Sequence, residues 1–523
     1  MNDQPSIAVG APEPITPLTD AEKRVIAWLN ENSSREAVLA DLQDTLQTAI
    51  EIELATIPIY LFTYYSINRE AASGENLEAP QLFANKAGAV IMSVAVEEML
   101  HMSLSSNVLF ALGGTPRHYR RAPGQYPTPL PYHNPVGPKG PDGQTAVLIP
   151  LSKLSFEQLW HFLQIEYPEA KDVTPEDRDW DTIGQFYSFI RCLLCTKFLS
   201  DADFQRGPAE RGIQPGNYSP NNIDTVFPKE KFDPWKTAPP VPLPGWLAKD
   251  GHPRAAEIAQ FTDCADSHTG PSALLTIATV RKAIKAIDTV CDQGEGAPIC
   301  GPKVDPDDDL SSLEMSHYQK FLTLQAQFAA YKDTKEDLPP YSDRVAPVEP
   351  TVTQSELEAA GLIYNFPDNP TTGIYPIHLW PISAFTSACF QYMLIMTETI
   401  YRVPPHQQKL FFNEGLHRSM IWVLDKYIKT IRKIPVGGGK VMAPTFENVD
   451  LGPPVTAFAG LTYYGNQAIA AANAILAADP NGPLASVMSD VIYYIGVAIS
   501  ATSADGHPMH LPDVAEYWSE EEA

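Results

Sequence analysis

Cysteine is scarce in this chain. Six residues in 523 are too few for the disulfide framework of a small secreted domain. Cys192 and Cys195 form a C-x-x-C, but they stand in the apolar run RCLLCTKFL, which favours buried, reduced thiols. Basic residues are also short: Lys and Arg number 37 against 63 Asp and Glu, a net charge of −26. That excludes a nucleic-acid partner, which needs clustered cations, and docking on anionic lipid. Long apolar runs are missing. Residues 491–501 make about half a membrane span. The start MNDQPSIAVG has neither the basic residues nor the apolar stretch of a signal peptide. The expectation is a cytoplasmic protein without a transmembrane segment. Strand signals and tandem repeats are lacking too, so the expected fold class is all-α.

Proline, by contrast, is plentiful and uneven. Residues 1–18 read as a polar arm, and Pro-rich, irregular connections are expected at about 116–150 and 206–247. Between them the apolar residues recur at three and four, which predicts helices. Thr19-Asp20-Ala21-Glu22 looks like a helix start. Helices are expected from about Arg35 to Asn68, with a kink at Pro58, and from about Pro80 to Leu112, stopped by Gly113-Gly114-Thr115-Pro116. Others are expected at 155–166, 181–199, about 271–292, about 310–331, 377–402, 405–433 and 466–503. VGGGK reads as a turn and lacks the spacing of a phosphate-binding loop. The implied layout is a bundle over 19–335 and a C-terminal helical region over 350–523 packed on it.

Three Glu-x-x-His matches stand out: Glu98/His101, Glu314/His317 and Glu414/His417. The spacing puts carboxylate and imidazole one turn apart on a helix face. Two-metal carboxylate bundles take one Glu from each of two helices and Glu-x-x-His from each of the other two. Context separates the three. SVAVEEMLHMSLSSNVLF is apolar for over a dozen residues, yet holds Glu97, Glu98 and His101. Buried charges are costly unless paired or metal-bound. Glu53 poses the same problem in AIEIELATIPIY, and Tyr60 lies two turns on along the same face. Glu414/His417 has a glycine inside it and Lys and Arg nearby, which favours a structural role.

The segments IEIELATIPIYLFTYYSI, VAVEEMLHMSLSSNVLFALGGTP, FLQIEYPE, TIGQFY, AIDTVCDQGEG and LEMSHYQKF resemble, in order, the ferritin-like domain of iminophenyl-pyruvate dimer synthases. These are bacterial enzymes of secondary metabolism, of the violacein and rebeccamycin type. The resemblance spans about residues 38–330 and continues more loosely through GIYPIHLWPISAF and VMAPTFE. It implies a four-helix bundle with metal ligands Glu53, Glu98, His101, Glu295, Glu314 and His317. It leaves Asp288 or Asp292 as alternatives to Glu295. Glu166 would stand at the site or its entrance as a catalytic residue beside Tyr60. Gln185 stands where many members carry Glu. The chain is shorter than the pigment-pathway enzymes and has different insertions.

The expected function is oxidation of a small substrate by dioxygen or peroxide, with aromatic and amino-acid-derived molecules as the candidate classes. Two irons per chain would serve, with manganese as the other metal these oxygen and imidazole donors suit. The Pro-rich connections could roof the cavity, and Tyr64 joins Tyr60 as a candidate redox neighbour. The alternatives are iron binding or peroxide removal without an organic substrate, and a metal-free helical scaffold.

Overall fold

Thr19 and Glu22 close a reciprocal cap. The Thr19 hydroxyl accepts the Glu22 N–H at 3.1 Å, and the Glu22 carboxylate accepts the Thr19 N–H at 2.7 Å. This starts α1 (Asp20–Asn32). The structure is a computed structural model that describes residues 18–73, 77–133, 148–167, 173–214, 274–294, 316–328, 351–502 and 510–519. The arm expected at 1–18 lies almost wholly outside these residues, as does the bundle's expected end near 335–350.

Two long helices dominate, α2 (Arg35–Ser66) and α3 (Ala79–Ala111). Every residue from Ile52 to Ile67 is buried, as expected of a helix apolar on all sides. The pair is antiparallel: Gln43 donates to the Leu112 carbonyl at 3.2 Å, Thr56 meets Glu98, and the Arg69 side chain covers Gly88. α2 continues through Pro58 to Ser66. There the Ser66 carbonyl accepts the Tyr364 N–H at 2.7 Å and the Ser66 hydroxyl accepts the Leu154 N–H at 2.9 Å. α3 ends where expected, with Gly113 at φ +83°, a conformation glycine reaches cheaply.

Four shorter helices close the bundle: α4 (Phe156–Ile165), α5 (Ile183–Leu194), α6 (Val280–Gly294) and α7 (His317–Gln327). α5 packs on α2 and α6, α6 on α3, and α7 on α3 and α4. Two expected helix starts are corrected. α6 opens at Val280, not near 271: residues 274–279 are not helical, the Thr279 hydroxyl accepts the Lys282 N–H at 3.2 Å, and Asp201 accepts the Val280 N–H at 2.9 Å. α7 opens at His317, with Ser316 outside the helix. Cys192 and Cys195 are both buried.

The C-terminal part is helical as well. It contains α8 (Gln354–Ala359), α9 (Trp380–Thr399), α10 (Pro405–Phe411) and α11 (Lys426–Ile431). Between α10 and α11 the helix widens into π turns over Phe412–His417 and Ser419–Asp425. Gly415 lets this segment approach its neighbours closely, since a Cβ there would lie 3.1 Å from the Met396 sulfur and 3.2 Å from Pro512. The stretch expected to be helical over 466–503 holds two helices, α12 (Ala457–Ala478) and α13 (Ala485–Ile499). Asp479-Pro480-Asn481-Gly482-Pro483 parts them, because proline breaks the backbone ladder. The VGGGK turn joins a minimal hairpin of β1 (Pro435–Gly437) and β2 (Lys440–Val441), with all three glycines at positive φ.

This part is tied directly to the bundle. The Arg432 guanidinium donates to the Tyr65 and Ile67 carbonyls at 3.0 and 3.2 Å. Residues 116–133, irregular as expected, form a strap: Glu398 of α9 accepts the His118 and Tyr119 N–H groups at 2.5 and 2.7 Å. Among the described residues, two helical stretches, Ala79–Ala111 and Ile377–Thr399, are long and apolar enough to cross a membrane. Their most apolar windows are 78% and 83% buried within the fold, which covers them as core helices.

Candidate metal centre

Among the described residues, two buried groups of three side chains lie inside the bundle, and they share one residue. Glu53, Glu98 and His101 form the first; Glu98, Glu166 and His317 form the second. Within each, the donor atoms lie within 4.8 Å of one another. Metal–oxygen and metal–nitrogen bonds of about 2.0–2.2 Å span such a group after small side-chain movements. The two imidazole rings stack with centroids 5.4 Å apart.

Each element places its residue for a local reason. Glu53 and Tyr60 sit two turns apart on α2, and Glu98 and His101 one turn apart on α3. Glu166 caps the C-terminus of α4, its N–H bonded to the Phe162 carbonyl at 3.0 Å. His317 is the first residue of α7. His101 Nδ1 lies 4.0 Å from Glu53 and 3.9 Å from Glu98. His317 Nδ1 lies 2.9 Å from Glu98 and 3.4 Å from Glu166.

The other ring nitrogens point away from the cluster to fixed partners. His101 Nε2 meets the Gln293 side-chain carbonyl at 3.0 Å, and His317 Nε2 meets Glu97 at 2.7 Å. Both acceptors favour a proton on Nε2, which leaves Nδ1 as the ring nitrogen that faces the carboxylates. Lys320 bonds Glu97 in turn. The carboxylates are held by hydroxyls: Tyr187 donates to Glu53 at 2.5 Å, Thr56 to Glu98 at 3.2 Å, and Tyr60 to Glu166. Phe162 and Phe321 pack on the Tyr60 ring, with centroids 4.7 and 5.4 Å away.

Burial and the neighbouring Glu98 charge push the Glu53 carboxyl well above its usual range. Burial opposes ionisation of Glu98 too, but hydrogen bonds with Glu53 and His317 prevail and hold it at about 2. Burial drives His101 down to about 4. His317 goes the other way: Glu166, Glu97 and Glu98 outweigh its burial and raise it well above the ordinary value. Without a cation the surroundings of Glu53 and His317 therefore favour their protonated forms. A cation can take the place of those protons, so the donor set fits one.

Several expected site residues lie elsewhere. Asp288 pairs with Arg191 at 2.9 Å, away from the cluster. Gln185 accepts the Asp181 N–H and donates to the Thr174 carbonyl, both at 2.7 Å, and so clamps the loop before α5. Tyr64 packs on Tyr65 and under Lys429. Glu414, for which a structural role is expected, pairs with Arg418 in the π segment. Glu295, Glu314 and the Asp292 side chain lie outside the described residues. Tyr187, Gln293 and the Glu97–His317 link were not foreseen. Tyr187 lies in the quoted neighbourhood of TIGQFY, but its reach to Glu53 depends on how α5 packs on α2.

The family model described as Ferritin-like matches residues 46–234. The fold is ferritin-like, mostly helical, with long insertions. The matched span carries Glu53, Glu98, His101 and Glu166, which are four of the five residues in the two groups. A crystal structure of a ferritin-like protein from Caulobacter vibrioides is similar to this chain at 18% identity, over 72% of this chain and 93% of its own, with a TM-score of 0.36. No curated protein matches the chain.

Proposed function

We propose that this protein is a metal-dependent oxidoreductase that holds two ions, iron before manganese, and uses dioxygen or peroxide to oxidise a small organic substrate. The observation that carries the reading is the pair of buried carboxylate–histidine groups joined by Glu98. One ion would take Glu53, Glu98 and His101; the other would take Glu98, Glu166 and His317. Three protein donors per ion leave coordination positions for an oxidant, as metal catalysis requires. The bound ions would supply the redox equivalents.

The chain's own residues support that chemistry in ordinary ways. Gln293 and Glu97 orient the imidazoles. Tyr187 and Tyr60 orient Glu53 and Glu166 and keep their lone pairs from turning away. Phe162 and Phe321 exclude water from the Tyr60 side. The sequence resemblance to iminophenyl-pyruvate dimer synthases supports an aromatic, amino-acid-derived substrate.

Metal analysis with an absorption spectrum tests the reading. The expected content is two irons per chain in the wild type. Glu98→Ala, which removes the shared carboxylate, should lose both ions and the activity; Glu53→Ala should retain about one. Full metal content with normal turnover in Glu98→Ala would sink the assignment. Growth of a mineral core during ferrous oxidation would favour iron handling instead.

A further inference from the structure

A second feature of the same helix pair has no part in the metal cluster. A cavity of about 140 Å³ lies between α2, α3, α9 and the π-helical segment. On α2 it is lined by Leu54, Ile57, Leu61 and Tyr65, and on α3 by residues that include Met99 and Met102. Successive helix residues are rotated by about 100°. Each residue at the cluster is thus followed by one that lines the cavity: Glu53 by Leu54, Tyr60 by Leu61, Glu98 by Met99, His101 by Met102. The cavity and the metal cluster are adjacent faces of one helix pair.

Its wall is chemically distinct. Met92, Met99, Met102, Met393 and Met420 all line it, five of the eleven methionines in the chain. Thioether side chains are flexible and adapt to varied apolar shapes. The far wall is the π-helical stretch, a geometry frequent at functional sites. Most polar groups at the rim are engaged within their own helices. Ser103 donates to the Met99 carbonyl at 2.7 Å, Thr397 to the Met393 carbonyl at 3.0 Å, and Asp425 accepts Lys429 at 2.9 Å. Such a lining does not suit an ion. An apolar cavity of about 150 Å³ elsewhere stays dry and takes up benzene.

We infer that this cavity is a binding site for an uncharged, apolar molecule of about the size of a single aromatic ring. The site is separate from the proposed metal centre and does not depend on it. The ligand would touch Leu54, Met99 and Met102, the immediate neighbours of Glu53, Glu98 and His101.

The test uses the full chain with ¹³C-labelled methionine methyl groups and benzene as the probe, with and without added iron. Saturable shifts are expected at Met92, Met99, Met102, Met393 and Met420, and none at the buried Met442 and Met488. Benzoate, which is charged, should produce none of them. Leu416→Trp and Met420→Phe each place bulk in the cavity and should weaken benzene binding at least tenfold. Far-UV circular dichroism and the melting temperature establish that each variant is folded. Absence of saturable binding to the wild type overturns the proposal whatever the variants do. So does benzene binding that shifts Met442 or Met488 instead, or that is unchanged in a folded, filled variant.

Discussion

Glu53 and Glu98 are both buried carboxyls, yet their environments push them in opposite directions. Burial and the Glu98 charge keep Glu53 protonated, while hydrogen bonds with Glu53 and His317 keep Glu98 ionised. A metal ion therefore competes with a proton at Glu53 and, because His317 is also raised, at that ring. Lower pH favours the protons, so metal affinity should fall as pH falls. A chelator-competition titration between pH 8 and pH 5 should show this, accompanied by proton release on loading. Orientation of the imidazoles gives a second expectation. Gln293→Leu or Glu97→Gln should weaken metal binding by about 10–100-fold while the helical circular dichroism is unchanged. Glu53, Glu98 and His101 were legible in the sequence because an apolar helix has no cheap use for charge. Gln293 and Tyr187 were not, since a polar residue on a half-apolar helix is ordinary until a neighbour is brought to it.

Helix boundaries show the same division between local and distant causes. The Thr19–Glu22 cap and the Gly113 stop are written in contiguous residues and were read directly. The start of α6 was not, because it depends on Asp201, 79 residues earlier, accepting the Val280 N–H. The break at 479–483 was legible but lost in an Ala-rich stretch. Glu166 was quoted for its motif, but its place beside Glu98 and His317 is set by how α4 and α7 pack on α3. A buried ion triad holds α1, α5 and α6 together: Arg191 lies 3.1 Å from Glu22 and 2.9 Å from Asp288, all nearly inaccessible to solvent. Replacing Arg191 with Met would strand two buried carboxylates. The expected loss is about 3–5 kcal/mol, read from urea unfolding, and Arg191→Lys should recover part of it.

Across the whole molecule, three histidines outside the cluster, His118 buried and His133 and His161 partly so, add to the response to acid. Burial lowers His118 to about 3, and His133 and His161 to about 4. Their folded values lie below the ordinary 6.5, so the unfolded chain takes up protons that the folded chain refuses. Their contribution to stability is present above about pH 6.5 and is lost as pH falls towards 4. The urea midpoint should drop over that window, and His118→Asn should flatten the slope. The C-terminal helices matter equally. Arg432→Ala leaves the Tyr65 and Ile67 carbonyls without a donor and should cost on the order of 2–3 kcal/mol, measured by the same denaturant titration.

That Arg432 link spans 367 residues of sequence. A ribosome adds about 5–20 residues per second, so roughly 20–70 s pass between synthesis of Tyr65 and arrival of its guanidinium partner. For that interval the nascent α2–α3 pair has no C-terminal helices over its methionine-lined face. Newly made chain would be vulnerable to aggregation then, and chaperone supply or slower, cooler expression should raise the soluble yield.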